Sequence, residues 1–153
     1  MEYEYSFKVN DYSQYINYCV SNNYSNLGTY KQKRIIYRNK KGLIGRITIS
    51  NDSLFLDFKE DNLFNNDLSI RKESLPIKID NISNCENILN FLGFNKDNTL
   101  IRERYIYSKD NVKFEIDNYF ETNEFVISIE GIKNNVDKVY NDLENSLNIL
   151  YKI

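Results

Sequence analysis

The sequence predicts an α+β fold: about eight short, mainly antiparallel strands in a sheet that is able to close into a barrel, with about three helices. Three observations carry this. Short segments of alternating polar and apolar residues recur along the chain, and such alternation marks a strand with two unlike faces. Most of these segments are joined by hairpin-length links. Three other segments carry a helical period or a helix-start pattern.

Residues 2–9 alternate strictly, with Glu2, Glu4, Ser6 and Lys8 on one face and Tyr3, Tyr5, Phe7 and Val9 on the other. Residues 11–21 suit a helix capped by Asp11, turning Tyr15, Ile16, Cys19 and Val20 to the core. Strands follow at about 30–38, 43–50 and 53–59, the last two divided by Asn51-Asp52, a hairpin signal. Residues 69–80 suit a further strand. Ser83 and Glu86 have the spacing of a capping box, opening a short helix that Gly93 stops. Strands at about 99–107, 111–119 and 124–131 come next. From Val136 to Tyr151 apolar residues fall at 136, 139, 140, 143, 147 and 150, so an amphipathic helix is expected there. Asn22-Asn23 and Asn65-Asn66 are expected at loop tips.

Composition narrows the function classes. The chain has 153 residues, 41% of them hydrophobic, enough for one core and one domain over 1–153. Twenty Lys and Arg against 22 Asp and Glu leave a net charge of −2, so duplex DNA and acidic membranes are not the expected partners. Histidine is absent, which excludes Ser-His and Cys-His catalysis and every His-based metal site. Cys19 and Cys85 are too few for a disulfide framework or zinc knuckle, and their helical setting suggests inert buried thiols. No apolar run approaches the roughly 18 residues of a membrane span, and the charged start is not a signal peptide. A cytoplasmic protein is the expectation. The 24 Asn and the lack of Ala and Trp reflect coding bias more than function.

The polar faces are the informative ones. Besides the first strand, they carry Arg46 with Thr48, Asp57 with Lys59, Arg71 with Glu73, and Arg102 with Arg104. Lys113, Glu115 and Asp117 form another such row, and Glu124, Val126, Ser128 and Glu130 the last. One account is a sheet whose polar face meets water. The other is an inside-out barrel, polar toward a lumen and apolar toward the helices. In the second, acidic groups from the first and last strands would make an oxygen-rich site for Mg²⁺ or Mn²⁺. Arginines and lysines would surround a polyanion, because the planar guanidinium fork matches phosphate oxygens. The like-signed pairs Arg102-x-Arg104 and Glu2-x-Glu4 favour the lumen, since solvated faces usually intersperse signs. Lys31, Lys33, Arg34, Arg38, Lys40 and Lys41 suit an ordinary solvated strand and turn, with Arg34 or Arg38 the candidates to point inward. Tyr105 and Tyr107 fall on the face opposite the arginine pair.

The same residues carry a family resemblance. Glu2-Tyr3-Glu4 resembles the N-terminal Glu-x-Glu signature of the CYTH, or triphosphate tunnel metalloenzyme, superfamily. Residues 88–132 are similar to that family's order of short helix, Leu-Gly-Phe, basic-x-Arg strand, strand ending in Asp, and closing acidic strand. The resemblance spans nearly the whole chain in order and is closest over 88–145.

It implies a mainly antiparallel eight-stranded β-barrel, a tunnel with about three helices packed outside, that holds a triphosphate with Mg²⁺ or Mn²⁺. It implies metal on Glu2, Glu4 and Glu130. Phosphate oxygens would fall to Arg46, Lys59, Arg102 and Arg104, with Lys8, Arg34, Arg71 and Lys113 as further candidates. Glu4, Arg102 and Arg104 would be catalytic, and Asp117 structural. The implied activity is hydrolysis of inorganic triphosphate, a nucleoside or thiamine triphosphate, or an RNA 5′-triphosphate, by a monomer or homodimer. The alternatives are a class IV-type adenylate cyclase, or a degenerate tunnel that only binds nucleotide, polyphosphate or RNA 5′ ends. A third reading is an interaction protein with a merely solvated charged face. Three positions depart from the family pattern: Ser6 stands where Lys is usual, Thr48 where Arg is, and Ser128 where Glu is.

Overall fold

The computed structural model describes residues 3–60, 69–70, 73–146 and 151–152. Seven long strands form one antiparallel sheet: β1 (Tyr3–Val9), β2 (Ser25–Arg38), β3 (Leu43–Ser50), β4 (Ser53–Glu60), β7 (Asn95–Lys109), β8 (Val112–Tyr119) and β9 (Glu124–Gly131). Three short strands, β5 (Ser69–Ile70), β6 (Ile77–Lys78) and β10 (Tyr151–Lys152), join it. The helices are α1 (Ser13–Ser21), α2 (Ile82–Phe91) and α3 (Lys133–Ser146).

The spatial order β1-β9-β8-β7-β2-β3-β4 leaves β1 and β4 at the two ends of the long-strand sheet. The segment after β4 joins them. Ser69 and Ile70 pair with Glu4 and Tyr3 of β1, and Glu73 bridges Lys59 of β4. The amide of Ser74 adds a bond to the Phe58 carbonyl at 2.9 Å. This segment is the eighth stave of the barrel, and it is built from two-residue pairings where the other seams run seven pairs or more.

The apolar faces point outward and are covered by the helices. Phe7, Val9, Tyr107, Phe114, Ile116, Ile127 and Ile129 pack under Tyr15 and Cys19 of α1 and Val136, Tyr140 and Leu143 of α3. Ile35, Tyr37 and Ile47 pack under Cys85 and Leu89 of α2, with Phe94. Both cysteines are buried and free, as expected. The arrangement follows from the alternation: once one face of every strand is sealed by a helix, the other must line the interior.

Several local expectations need correction. The cap of α2 is Asn81, whose Oδ1 accepts the Asn84 amide at 2.9 Å. Ser83 therefore lies inside the helix, and Glu86 instead accepts the Tyr37 hydroxyl. The N-cap residue of α1 is Tyr12 and not Asp11, which accepts the Ser13 amide at 2.9 Å just ahead of the helix. Of the strand expected over 69–80, the described residues show β5, a single bridge at Glu73 and β6, with Pro76 between the last two; proline supplies no ladder donor. The final helix does not reach Tyr151, which pairs as β10 with Lys8. Leu147 and Leu150 of that pattern, with Asn65-Asn66, lie outside the described residues. Strands β2 and β7 start earlier than expected, because each pairs with the other far beyond its apolar run.

The turns follow side-chain chemistry. Asp110 and Asn111 both have positive φ between β7 and β8, the conformation of a tight hairpin. Gly131 ends β9 at φ +150°, and a Cβ there would stand 2.2 Å from the Asn111 carbonyl oxygen. Gly93 at φ +88° has open space around its Cα hydrogens. Gly93→Ala is therefore expected to cost about 1 kcal/mol from backbone strain alone. Gly131→Ala should cost clearly more in the same urea denaturation series, because backbone must also move.

Candidate active site

The barrel encloses a cavity of about 990 Å³ lined by both signs of charge. Of the residues singled out from sequence, Glu4, Arg34, Arg46, Lys59, Arg102, Arg104, Lys113 and Glu130 line it together. Lys8 lies on the same face of β1 but pairs with Glu124 at 2.5 Å and is not among the lining residues. Glu2 and Arg71 lie outside the described residues. Arg38 is exposed and pairs with Asp97 at 2.8 Å, so of the two candidates in the basic stretch only Arg34 turns inward. Tyr107 is buried in the outer core, opposite the arginines.

Register decides which charges meet. Arg46 and Asp57 are direct cross-strand partners and bond in two-point fashion, Nε to Oδ1 at 3.0 Å and Nη2 to Oδ2 at 2.5 Å. Arg104 and Asp117 are likewise opposite one another, bonded at 2.7 and 2.8 Å. Arg104 also donates to Glu115 at 2.5 Å. Burial works against the Arg104 charge, yet Glu115 and Asp117 outweigh it and raise its affinity for the proton. Glu73 reaches in from the eighth stave to Lys59 at 3.2 Å and Arg46 at 3.3 Å.

Two arginines are not balanced in this way. Arg102 is 1% exposed. Its Nε donates to Gln32 at 2.9 Å and Nη1 to the Tyr119 hydroxyl at 3.3 Å, while Asp117 stands off at 3.6 Å. Its Nη2 is buried without a hydrogen-bond partner. Arg34 donates from Nε to Thr48 Oγ1 at 3.2 Å, and no carboxylate pairs with it among the described residues. Burial, then the charges of Arg102, Arg46 and Arg104, disfavour its cation. Burial and Arg104 do the same to Arg102. Guanidinium does not deprotonate in proteins, so these shifts express the cost of burying the two cations first and their mutual repulsion second.

Across the lumen stand the carboxylates. Glu4 and Glu130 are direct partners on β1 and β9, and Lys113 lies opposite Glu130 on the other side, 2.7 Å away. Burial, then the neighbouring Glu115 charge, pushes the Glu130 carboxyl above its ordinary range against the pull of Lys113. Burial alone would raise Glu115 as well, but Arg104, Lys113 and a hydrogen bond from Glu130 hold it low. Among the described residues no three carboxylates or thiolates converge as a preformed metal cage. Two adjacent carboxylates do fit a hard cation that takes its remaining ligands from phosphate oxygens and water, the usual manner of Mg²⁺.

The departures from the family pattern are occupied structurally. Ser6 and Ser128 are paired across β1 and β9, with hydroxyls 2.9 Å apart, and Ser6 donates to Glu4 at 2.9 Å. Sequence reading placed Asp57, Glu73 and Glu115 on polar faces but gave no pairing for them. Gln32 and Tyr119 were missed; only their shared register with Arg102 reveals them.

No family profile and no curated protein matches the sequence. Solved structures do match. The PH1012 protein of Pyrococcus horikoshii superposes with a TM-score of 0.80 at 20% identity, covering 97% of this chain and 92% of that one. HpAC1 of Hippeastrum, a proposed adenylyl cyclase with a dominant triphosphatase activity, gives 0.69 at 16% identity over 95% and 87%. This chain has the CYTH fold. A chain of the Schizosaccharomyces pombe Mediator head module also superposes, with a TM-score of 0.66 at 11% identity over 99% and 98%. No helix among the described residues is long and apolar enough to cross a membrane.

Two outcomes follow from the CYTH lumen as described. Arg102→Met should leave the thermal midpoint of the ligand-free protein unchanged or raised, because it removes a buried, incompletely paired charge. For Glu130, a folded pKa above the unfolded value means that the folded state binds the proton more tightly. Its contribution to stability is full below about pH 4.5 and is lost as pH rises through the raised value. Carboxyl carbon NMR titration should show this late titration in the metal-free protein, and Glu115→Gln should bring it down.

Proposed function

We propose that the lumen binds the triphosphate end of a substrate and, with Mg²⁺ or Mn²⁺, hydrolyses one of its phosphoric anhydride bonds. The observation that carries this reading is Arg102, a buried guanidinium with an unpartnered Nη2, next to the carboxylate-free Arg34 in charge terms. A buried cation without full compensation costs folding free energy. An anion with several oxygens offsets that cost, and condensed phosphate suits a wall where cationic groups continue to Arg104, Arg46 and Lys59.

In this reading Arg34 and Arg102 take phosphate oxygens directly. Arg104, held by Asp117 and Glu115, is a fixed positive wall that needs no rearrangement as charge develops. Glu4 and Glu130 would hold the divalent cation, which when bound neutralises the phosphoryl oxygens and assists in-line attack. Glu4, oriented by the Ser6 hydroxyl, is placed to accept a proton from an attacking water. The barrel wall limits competing bulk water. Inorganic triphosphate, a nucleoside or thiamine triphosphate, and an RNA 5′-triphosphate all present the required group. The triphosphatase activity of HpAC1 supports hydrolysis over cyclisation.

A second reading, a non-catalytic triphosphate binder, is favoured by one specific feature. Ser6 and Ser128 bond each other where the resemblance puts a lysine and a metal carboxylate, so the cation site is reduced. The fold alone does not decide between them, as its occurrence in a Mediator subunit illustrates.

A panel of tripolyphosphate, ATP, thiamine triphosphate and 5′-triphosphate RNA, each with Mg²⁺ or Mn²⁺, tests the proposal. Release of orthophosphate or pyrophosphate is expected from at least one. Arg102→Met should lower kcat/KM by roughly 10²–10³, and Glu4→Gln should abolish metal-dependent turnover in a folded protein. Binding without any product would replace hydrolysis by the binder reading.

A further inference from the structure

The carboxylates that face the lumen are not held alike. Asp57 meets Arg46 at two points and its side chain is 16% exposed. Asp117 meets Arg104 at two points and is 2% exposed. Glu73 instead makes single contacts at 3.2 and 3.3 Å, and its side chain is 30% exposed. Its backbone is the weakest part of the wall, one bridge to Lys59 followed by the exposed Leu75 and by Pro76. Such a contact is the first to yield, because exposed single-point ion pairs contribute little net free energy.

What Glu73 touches gives this weakness a consequence. Arg46 and Lys59 are the two cations on the β3–β4 side of the lumen, and Glu73 lays one carboxylate oxygen, Oε1, against both. It offers them what a phosphate oxygen would offer. At the pole formed by Arg34 and Arg102 the internal carboxylate is Asp117, which stands 3.6 Å from Arg102 and is bonded at two points to Arg104.

We propose that Glu73 is an internal competitor for phosphate: it occupies Arg46 and Lys59 in the empty lumen and is exchanged for ligand oxygens when a chain long enough to reach them enters. This rests on the reading of the lumen as a triphosphate site. Exchange also removes the side-chain tie between the eighth stave and β4, leaving the Lys59–Glu73 bridge and the Ser74–Phe58 backbone bond. Orthophosphate satisfies the Arg34–Arg102 pole alone and leaves Glu73 in place. Glu73 therefore penalises long anions by a fixed amount and short ones not at all, and when nothing is bound it adds to the compensation that Asp57 gives Arg46 and that Glu4, 3.5 Å away, gives Lys59.

Calorimetry without metal, using tripolyphosphate and orthophosphate on the full chain, tests this. Glu73→Gln should tighten tripolyphosphate roughly tenfold, a shift readable as one decade in Kd, and leave orthophosphate within about twofold. In the wild type, tripolyphosphate should speed hydrogen exchange at the Ser74 amide. An equal gain for both ligands would mean a general field effect and overturn the proposal. So would weaker tripolyphosphate binding in Glu73→Gln and Glu73→Ala alike, which would make Glu73 a positioning residue. Unchanged exchange at Ser74 would overturn it as well. Arg102→Met separates the two levels. If it abolishes tripolyphosphate binding while the Glu73 variants behave like wild type, the triphosphate site stands and the competitor falls. If wild type and variants all fail to bind, both fall.

Discussion

Charge compensation inside a closed wall is the constraint on which this molecule depends. Helices α1, α2 and α3 seal the apolar faces of the strands, so the polar faces have only each other. A lumen of this kind is stable where its cations and carboxylates are paired with good geometry. Arg46 with Asp57, Arg104 with Asp117, and Lys113 with Glu130 are all direct cross-strand partners. A slip of one residue in any of these seams would turn the charges into the helix-covered core. Pairing of charges and choice of register are thus one fact seen twice.

The compensation is incomplete in one direction. Arg34 and the Nη2 of Arg102 are left over on the β2–β7 side. On the β1–β9 side Glu4 and Glu130 are adjacent, and burial, then the Glu115 charge, favours the protonated form of Glu130. Both poles carry a folding cost that a bound polyanion and cation would offset. Such pre-set charge is how an enclosed site favours one class of ligand over water. The eighth stave is held by short pairings, and its Glu73 touches Arg46 and Lys59 by single contacts.

The structural likenesses at 11–20% identity fit this physics. An inside-out barrel asks of a sequence only that each strand be apolar outward and polar inward, with registers that match. Few residue identities are needed for that, so the fold persists where the lumen has changed. Ser6, Thr48 and Ser128 are small hydroxyls bonded to neighbours within the wall.

The alternation of residue types was enough to show which side chains share a face: Glu4 with Ser6, Arg102 with Arg104, Lys113 with Glu115 and Asp117. That information is local, a period of two along a strand, and so is the amphipathic period that placed the helices. Whether those faces looked at water or at one another was not local. It depended on β5 and Glu73 joining β1 to β4, a closure by a segment that reads from its sequence as one more strand but does not name its partners. Partnerships such as Arg102 with Gln32 and Tyr119, or Glu73 with Arg46 and Lys59, depended on register between strands far apart in the chain. Spacing within a strand cannot encode an offset between strands, which is why the chain's own order gave the charges and only its folding gave their partners.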